Sequence, residues 1–201
     1  MTVIINDWVG QGLEPLELEY EMDDHAFYVF CRRNQHLRFE RNPDRTIIIM
    51  PNTGGKTGRR NSEINFELVQ WNRQYNGGVV FDSSTAFKLP NFSTRSPDAA
   101  WVSIERWNEL SEDDQERFPP LAPDFVVELM SASDQLKKAQ EKMHEYIENG
   151  VQLAWLIQPE TQIVFIYRAD GTISKTTDFS QKLSGENVLP NFEFPLHLLL
   201  Q

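Results

Sequence analysis

Apolar and polar positions define the elements of this chain. Phe125 to Met130 is a short apolar run rich in β-branched side chains, which predicts a strand buried on both faces. Glu128 interrupts that run, and a carboxylate inside a central strand is costly unless it is paired or binds a cation. Leu136, Ala139, Met143 and Ile147 then recur at helical spacing and form one apolar face. Ser131 or Ser133 is the expected N-cap, Asp134 suits the positive end, and Asn149-Gly150 is a stop signal. Lys142 lies at the edge of the buried stripe, where its stem can be covered and its ammonium aimed back at the strand. Val151 to Ile157 is a second apolar strand. Strand, helix and strand make a βαβ-like unit whose strand direction the pattern leaves open.

The rest of the chain is less regular. Residues 1 to about 18 read as an irregular lead-in, with Gly10, Gly12 and Pro15 breaking any helix. Asp23-Asp24 opens a short helix carrying Phe27, Tyr28, Phe30 and Cys31. Leu37 to Glu40 and Thr46 to Met50, separated by Asn42-Pro43-Asp44, predict an antiparallel hairpin. Ile64, Phe66, Leu68 and Trp71 suggest a long helix from about Arg60 to Tyr75, ended by Asn76-Gly77-Gly78. Short strands are expected at Val79–Phe81, Ala86–Leu89 and around Trp101, and a charged surface excursion at 105–120. Ile163–Arg168 and Thr172–Thr176 form a second hairpin. An extended tail from Leu189 leads to Leu196–Leu200, which should dock on the body.

At 201 residues the expectation is one domain spanning 1–201. No apolar run is long enough for a transmembrane helix, and Met1 to Trp8 lacks the features of a signal peptide. Cys31 is the only cysteine, which excludes an internal disulfide and fits a cytoplasmic protein. A net charge of −11 counts against a broad electrostatic grip on nucleic acid but leaves room for a local basic face. The four histidines are scattered without ligand spacing and read as surface or hydrogen-bonded groups.

Two patterns carry candidate chemistry. Gly55-Lys56-Thr57 sits in a Gly-rich stretch between a strand and a helix, but the phosphate-loop pattern needs a glycine where Met50 stands. A flexible turn near a ligand is the better reading. Asp124 and Glu128 point to the same face of one strand, yet their Cα atoms would lie roughly 13 Å apart, too far to share an ion. Glu128 therefore needs a partner from another element, and Asp98 is the best candidate. Two carboxylates plus waters suit Mg²⁺ or Mn²⁺, with Lys142 able to orient water or stabilise charge on a phosphate. A salt-bridged Glu128–Lys142 pair with a purely structural role fits the same residues.

Several words occur in the order and spacing of a known family. They are Pro-Asn-Thr-Gly-Gly-Lys-Thr-Gly (51–58), Arg-Ser-Pro-Asp-Ala-Ala-Trp-Val (95–102), Ala-Pro-Asp-Phe-Val-Val-Glu-Leu-Met-Ser-Ala-Ser (122–133), Glu-Lys-Met-His-Glu-Tyr (141–146) and Gly-Val-Gln-Leu-Ala-Trp-Leu-Ile-Gln-Pro-Glu (150–160). In these words the chain resembles the Uma2 family, also labelled restriction endonuclease or DUF820, over a core of about 20–195. The resemblance implies the α/β (α+β) restriction-endonuclease-like fold of the PD-(D/E)XK nucleases: a central mixed β-sheet flanked by helices, here with an added N-terminal hairpin and C-terminal strands. It places the first acid at Asp98, the second at Glu128 and, less directly, the helix glutamate at Glu63. The superfamily lysine position is Met130, and in Uma2-like sequences the lysine stands on the following helix, here Lys142. Asp124 is expected to have a structural role near the strand start.

The resemblance thus implies a Mg²⁺- or Mn²⁺-dependent endonuclease acting on DNA, with Asp98 and Glu128 holding the metal, joined by Glu63, and Lys142 positioning water. Lys56, Arg59, Arg60, Lys137 and Lys138 would be local phosphate contacts, or ordinary surface charge. The fold often works as a homodimer, because two strands need two sites. The alternatives are a catalytically inactive dimeric interaction protein, which Met130 and the acidic charge favour, and an enzyme on a small phosphorylated substrate that uses the loop at 54–58.

Overall fold

The computed structural model describes residues 16–18, 22–132 and 134–200. The expected irregular lead-in at 1–15 and the candidate cap Ser133 lie outside them. In chain order the elements are β1 (Leu16–Leu18), α1 (Asp24–Arg33), β2 (Arg38–Arg41), β3 (Ile47–Met50), α2 (Gly55–Tyr75), β4 (Gly78–Asp82), β5 (Phe87–Lys88), β6 (Thr94–Arg95) and β7 (Ala99–Ser103). Then follow α3 (Ile104–Asn108), α4 (Glu112–Glu116), β8 (Phe125–Leu129), α5 (Leu136–Glu148), β9 (Leu153–Gln158), β10 (Ile163–Arg168), β11 (Ile173–Thr176), β12 (Lys182–Ser184), β13 (Glu193–Pro195) and a closing 3-10 helix, Leu196–Leu200.

The main sheet has six strands in the order β11-β10-β9-β8-β7-β4. β8 and β9 are parallel and the other pairs antiparallel, so β8-α5-β9 is a true βαβ crossover and the sheet is mixed. Alternation along β8 sorts its side chains to two cores. Phe125, Val127 and Leu129 pack with Ile64 and Leu68 of α2 and with Phe192 and Phe194 of the tail. Val126 and Met130 pack with Met143 and Tyr146 of α5 on the other face. Both faces are therefore covered by helix, as a sheet with a parallel centre requires.

The N-terminal hairpin belongs to a second sheet, ordered β1-β3-β2-β6-β5. Leu16–Leu18, expected to be irregular, pairs with β3 as an edge strand. The expected short helix with an acidic start is α1, and Asp23 caps it, accepting the Ala26 N–H at 2.7 Å.

Three local expectations are corrected. Helix α2 starts at Gly55 rather than near Arg60, and Gly58 N–H donates to Gly54 O at 2.9 Å within it. The Gly-Lys-Thr word is therefore the first helical turn and not the flexible turn expected there. Nothing crowds a Cβ at Gly54, Gly55 or Gly58, so no close approach demands glycine there. Phe66 is 59% exposed, because the inward face of α2 is set by Asn61, Ile64 and Leu68. The N-cap of α5 is Gln135, whose side chain does not cap the helix, while Asp134 Oδ2 accepts the Ser131 N–H at 2.6 Å. The C-terminal stop holds: Asn149 caps α5 and Gly150 follows with a φ of 105°.

Candidate functional site

Asp98 stands one residue before β7 and straddles Glu128 on the neighbouring strand. Its N–H donates to Val127 O at 3.0 Å, and its Oδ2 accepts the Leu129 N–H at 2.8 Å. Asn61 Nδ2 of α2 donates to Asp98 Oδ1 at 2.8 Å, and Asn65 Nδ2 donates to Asp98 O at 3.1 Å. Burial pushes the Asp98 carboxyl above its ordinary range, opposed in part by the Leu129 N–H, Lys142 and Asn61.

Glu128 turns to the α5 face. Its Oε1 is 2.8 Å from Lys142 Nζ and accepts the Tyr146 hydroxyl at 2.8 Å. No hydrogen bond reaches Oε2 from the described residues. Burial pushes Glu128 up to about 7; Lys142 pulls against this, and the charges of Asp98 and Glu40 add to it.

The same Lys142 Nζ donates to Glu40 Oε1 of β2 at 2.8 Å, so the lysine joins the two sheets. Burial alone would lower its pKa. The flanking carboxylates Glu128 and Glu40 outweigh burial and raise it, so Lys142 keeps its proton. Glu40 also accepts the Ser96 N–H at 2.9 Å and lies 3.5 Å from Arg95. Burial raises its carboxyl, but Lys142 and Arg95 prevail and hold it below the ordinary range. Arg95 in turn donates through Nε to Glu145 Oε2 of α5 at 2.6 Å.

The structure thus brings together three of the sequence-predicted residues, Asp98, Glu128 and Lys142. Glu63 is turned away from them. It pairs with Arg59 at 3.5 Å and is about one-third exposed, while Asn61 two residues earlier is the α2 side chain that meets Asp98. Met130 is buried in the α5-side core, so the superfamily lysine position is filled by packing. Asp124 stands apart as expected, accepting the Ser103 N–H at 2.8 Å and Arg106 at 2.7 Å.

The five basic residues divide. Arg60 is buried and donates to Leu199 O and Glu160 Oε1, both at 2.9 Å; Arg59 donates to Leu198 O at 3.2 Å. These two tie α2 to the closing 3-10 helix. Lys56, Lys137 and Lys138 are exposed, and Lys137 lies 3.8 Å from Glu141.

Sequence reasoning missed Glu40, Asn61 and Arg95. Glu40 carried a usable signal, a carboxylate in a predicted strand, which is the argument that found Glu128. Arg95 lay inside a quoted family word. Asn61 had no signal, because nothing in the pattern ranks one polar residue of an amphipathic helix over its neighbours.

The chain belongs to the Uma2 family: the family model, described as "Putative restriction endonuclease", matches residues 24–198. Among solved structures, the chain is similar to a crystal structure from Anabaena variabilis of a protein described as a "putative nuclease belonging to DUF820", with a TM-score of 0.69 and 20% identity over 81% of this chain and 89% of that one. At that identity the likeness bears on the fold, and it agrees with the central mixed sheet flanked by helices. No curated protein matches the chain. Among the described residues no helix is long and apolar enough to cross a membrane.

Proposed function

We propose that this Uma2-family protein is a divalent-metal-dependent nuclease that hydrolyses phosphodiester bonds in DNA, with Mg²⁺ or Mn²⁺ held by Asp98 and Glu128. The observation that supports this reading is a local shortage of positive charge. Four carboxyl groups, Glu40, Asp98, Glu128 and Glu145, are gathered around two cations that contact them, Lys142 and Arg95, with Arg38 acting more weakly on Asp98. Glu40 and Glu145 keep their charge through those cations, whereas Asp98 and Glu128 are pushed toward holding protons. A hard divalent cation is the alternative to those protons, and the donors on offer are oxygens, as Mg²⁺ and Mn²⁺ prefer.

A bound divalent cation would lower the pKa of a coordinated water and offset charge on the attacked phosphate. The chain's own residues do the rest. Glu128 Oε1 is engaged by Lys142 and Tyr146, which leaves Oε2 for a ligand. Lys142, protonated and held by two carboxylates, acts as a fixed positive donor and not as a base. Its third N–H is available for a water or a phosphate oxygen. Lys138 lies one turn before Lys142, and with Lys56 and Lys137 it offers exposed charge for the nucleic-acid backbone. Arg59 and Arg60 serve as anchors of the C-terminal turn. Cutting both strands would take two copies of the chain.

Incubating supercoiled plasmid with the protein and Mg²⁺ or Mn²⁺ tests the reading. Nicking by wild type, abolished in Glu128→Ala and strongly reduced in Lys142→Ala, is expected. A wild type that leaves plasmid intact with either ion would overturn it. That outcome with a dimeric mass would support the interaction-protein reading, which the placement of Met130 in the core favours.

A further inference from the structure

Asn61 uses only half of its carboxamide. Nδ2 donates to Asp98 Oδ1 at 2.8 Å, whereas Oδ1 is buried without a hydrogen-bond partner among the described residues. A buried amide oxygen without a donor is costly, so such an atom calls for a specific explanation. Turning the amide over would not relieve it, because Oδ1 would then face the Asp98 carboxylate, acceptor against acceptor. The residue is 9% exposed and lies on the inward face of α2, one turn before Asn65, which holds Asp98 by its backbone carbonyl. Among the described residues, no three acidic, histidine or cysteine side chains converge closely enough to hold an ion by themselves. The Asp98–Glu128 pair therefore needs a further oxygen from another type of residue or from water. Carboxamide oxygens are ordinary donors to hard cations.

We infer that Asn61 Oδ1 is a ligand of the divalent cation held at Asp98, contributed from the α2 face of the sheet, where Glu63 was the expected residue. The inference rests on the metal-dependent reading above. One carboxamide then does two things: Nδ2 keeps Asp98 turned to the site, and Oδ1 completes its oxygen set. A neutral ligand also adds no charge to a cluster already short of cations.

The test titrates Mn²⁺ and Mg²⁺ by calorimetry into the full chain, Asn61→Asp and Asn61→Leu. It also follows the Asn61 and Asp98 ¹³Cγ resonances of wild type during Mg²⁺ addition. If Asn61 is a ligand, Asn61→Leu weakens Mn²⁺ binding about tenfold or more, while Asn61→Asp binds at least as tightly as wild type, since a carboxylate is the stronger donor to these ions. The Asn61 resonance then shifts together with that of Asp98. If Asn61 only orients Asp98, Asn61→Asp sets two carboxylates against each other and weakens binding, and the Asn61 resonance stays in place; that result overturns the inference. The wild-type spectra decide the matter even if a variant fails to fold. A wild type that binds neither ion at millimolar concentration removes the metal reading and this inference together. A wild type that binds with an unmoved Asn61 resonance removes the inference alone.

Discussion

Lys142 Nζ meets Glu128 Oε1 at 2.8 Å from the helix that follows the Glu128 strand. Two residues after Glu128, where the superfamily pattern has its lysine, Met130 is packed in the core. The same Nζ is 2.8 Å from Glu40 Oε1, so one ammonium is clamped between carboxylates on two sheets. That clamp keeps Glu40 ionised in the interior and brings the N-terminal sheet to the site.

Removing the ammonium leaves Glu40 and Glu128 close together and uncompensated. Lys142→Met is expected to cost about 3–5 kcal/mol in urea denaturation, the usual penalty for breaking a buried pair. Adding Glu40→Gln should recover part of that loss, because one of the stranded charges is gone. A single variant within about 1 kcal/mol of wild type would show that the clamp does not hold the sheets together.

Glu128 gives stability a pH dependence of known sign. Its folded pKa is pushed up to about 7 from the ordinary 4.5, chiefly by burial. Between those values the folded protein keeps a proton that the unfolded chain has released. This contribution is complete below about pH 4.5 and is lost as pH rises through about 7. Glu128→Gln removes the titration. Its stability relative to wild type should therefore improve by roughly 1–3 kcal/mol on going from about pH 4.5 to about pH 8. A constant difference across that range would contradict the environment assigned to Glu128. Metal binding competes with the same proton and should weaken on acidification.

Asp124, the residue just before the Glu128 strand, supplies a control. It satisfies the Ser103 N–H and Arg106 at the entry to α3, away from Glu128. Asp124→Ala is expected to lose about 1–3 kcal/mol through the stranded donors. Mn²⁺ affinity, measured by calorimetry, should not change.

Arg60 separates anchoring from nucleic-acid contact. Its guanidinium holds Leu199 O and Glu160. Arg60→Ala should speed amide exchange in the closing 3-10 helix and leave the salt dependence of DNA binding unchanged. A lost phosphate contact would instead lower the salt slope by about 0.9.

The strongly periodic parts of the chain were legible. The run at Phe125–Met130, the stripe on α5 and the strand after Gly150 all fold as their patterns require, because burial on both sheet faces leaves few alternatives. The intrusive Glu128 marked the site for the same reason. The two-glycine start of α2 was not legible. Helix-breaking residues there are overridden by long-range ties from Arg59 and Arg60 to the last turn, 139 residues away. The family pattern of a glutamate on the first core helix points to Glu63, whereas helix register brings Asn61 to Asp98. Glu40 comes from a strand of a separate sheet, and its approach to Lys142 depends on packing between sheets that no local pattern encodes.

The most direct measurement is calorimetric titration of Mn²⁺ into wild type, Asp98→Asn and Glu128→Gln. Both substitutions keep side-chain shape and remove one charge. The expected result is a single saturable site in wild type, weakened at least about tenfold in each variant as a charged ligand is lost. Binding in both variants that equals wild type, or no binding in wild type at millimolar Mn²⁺, would contradict the assignment of Asp98 and Glu128 as the metal-holding pair.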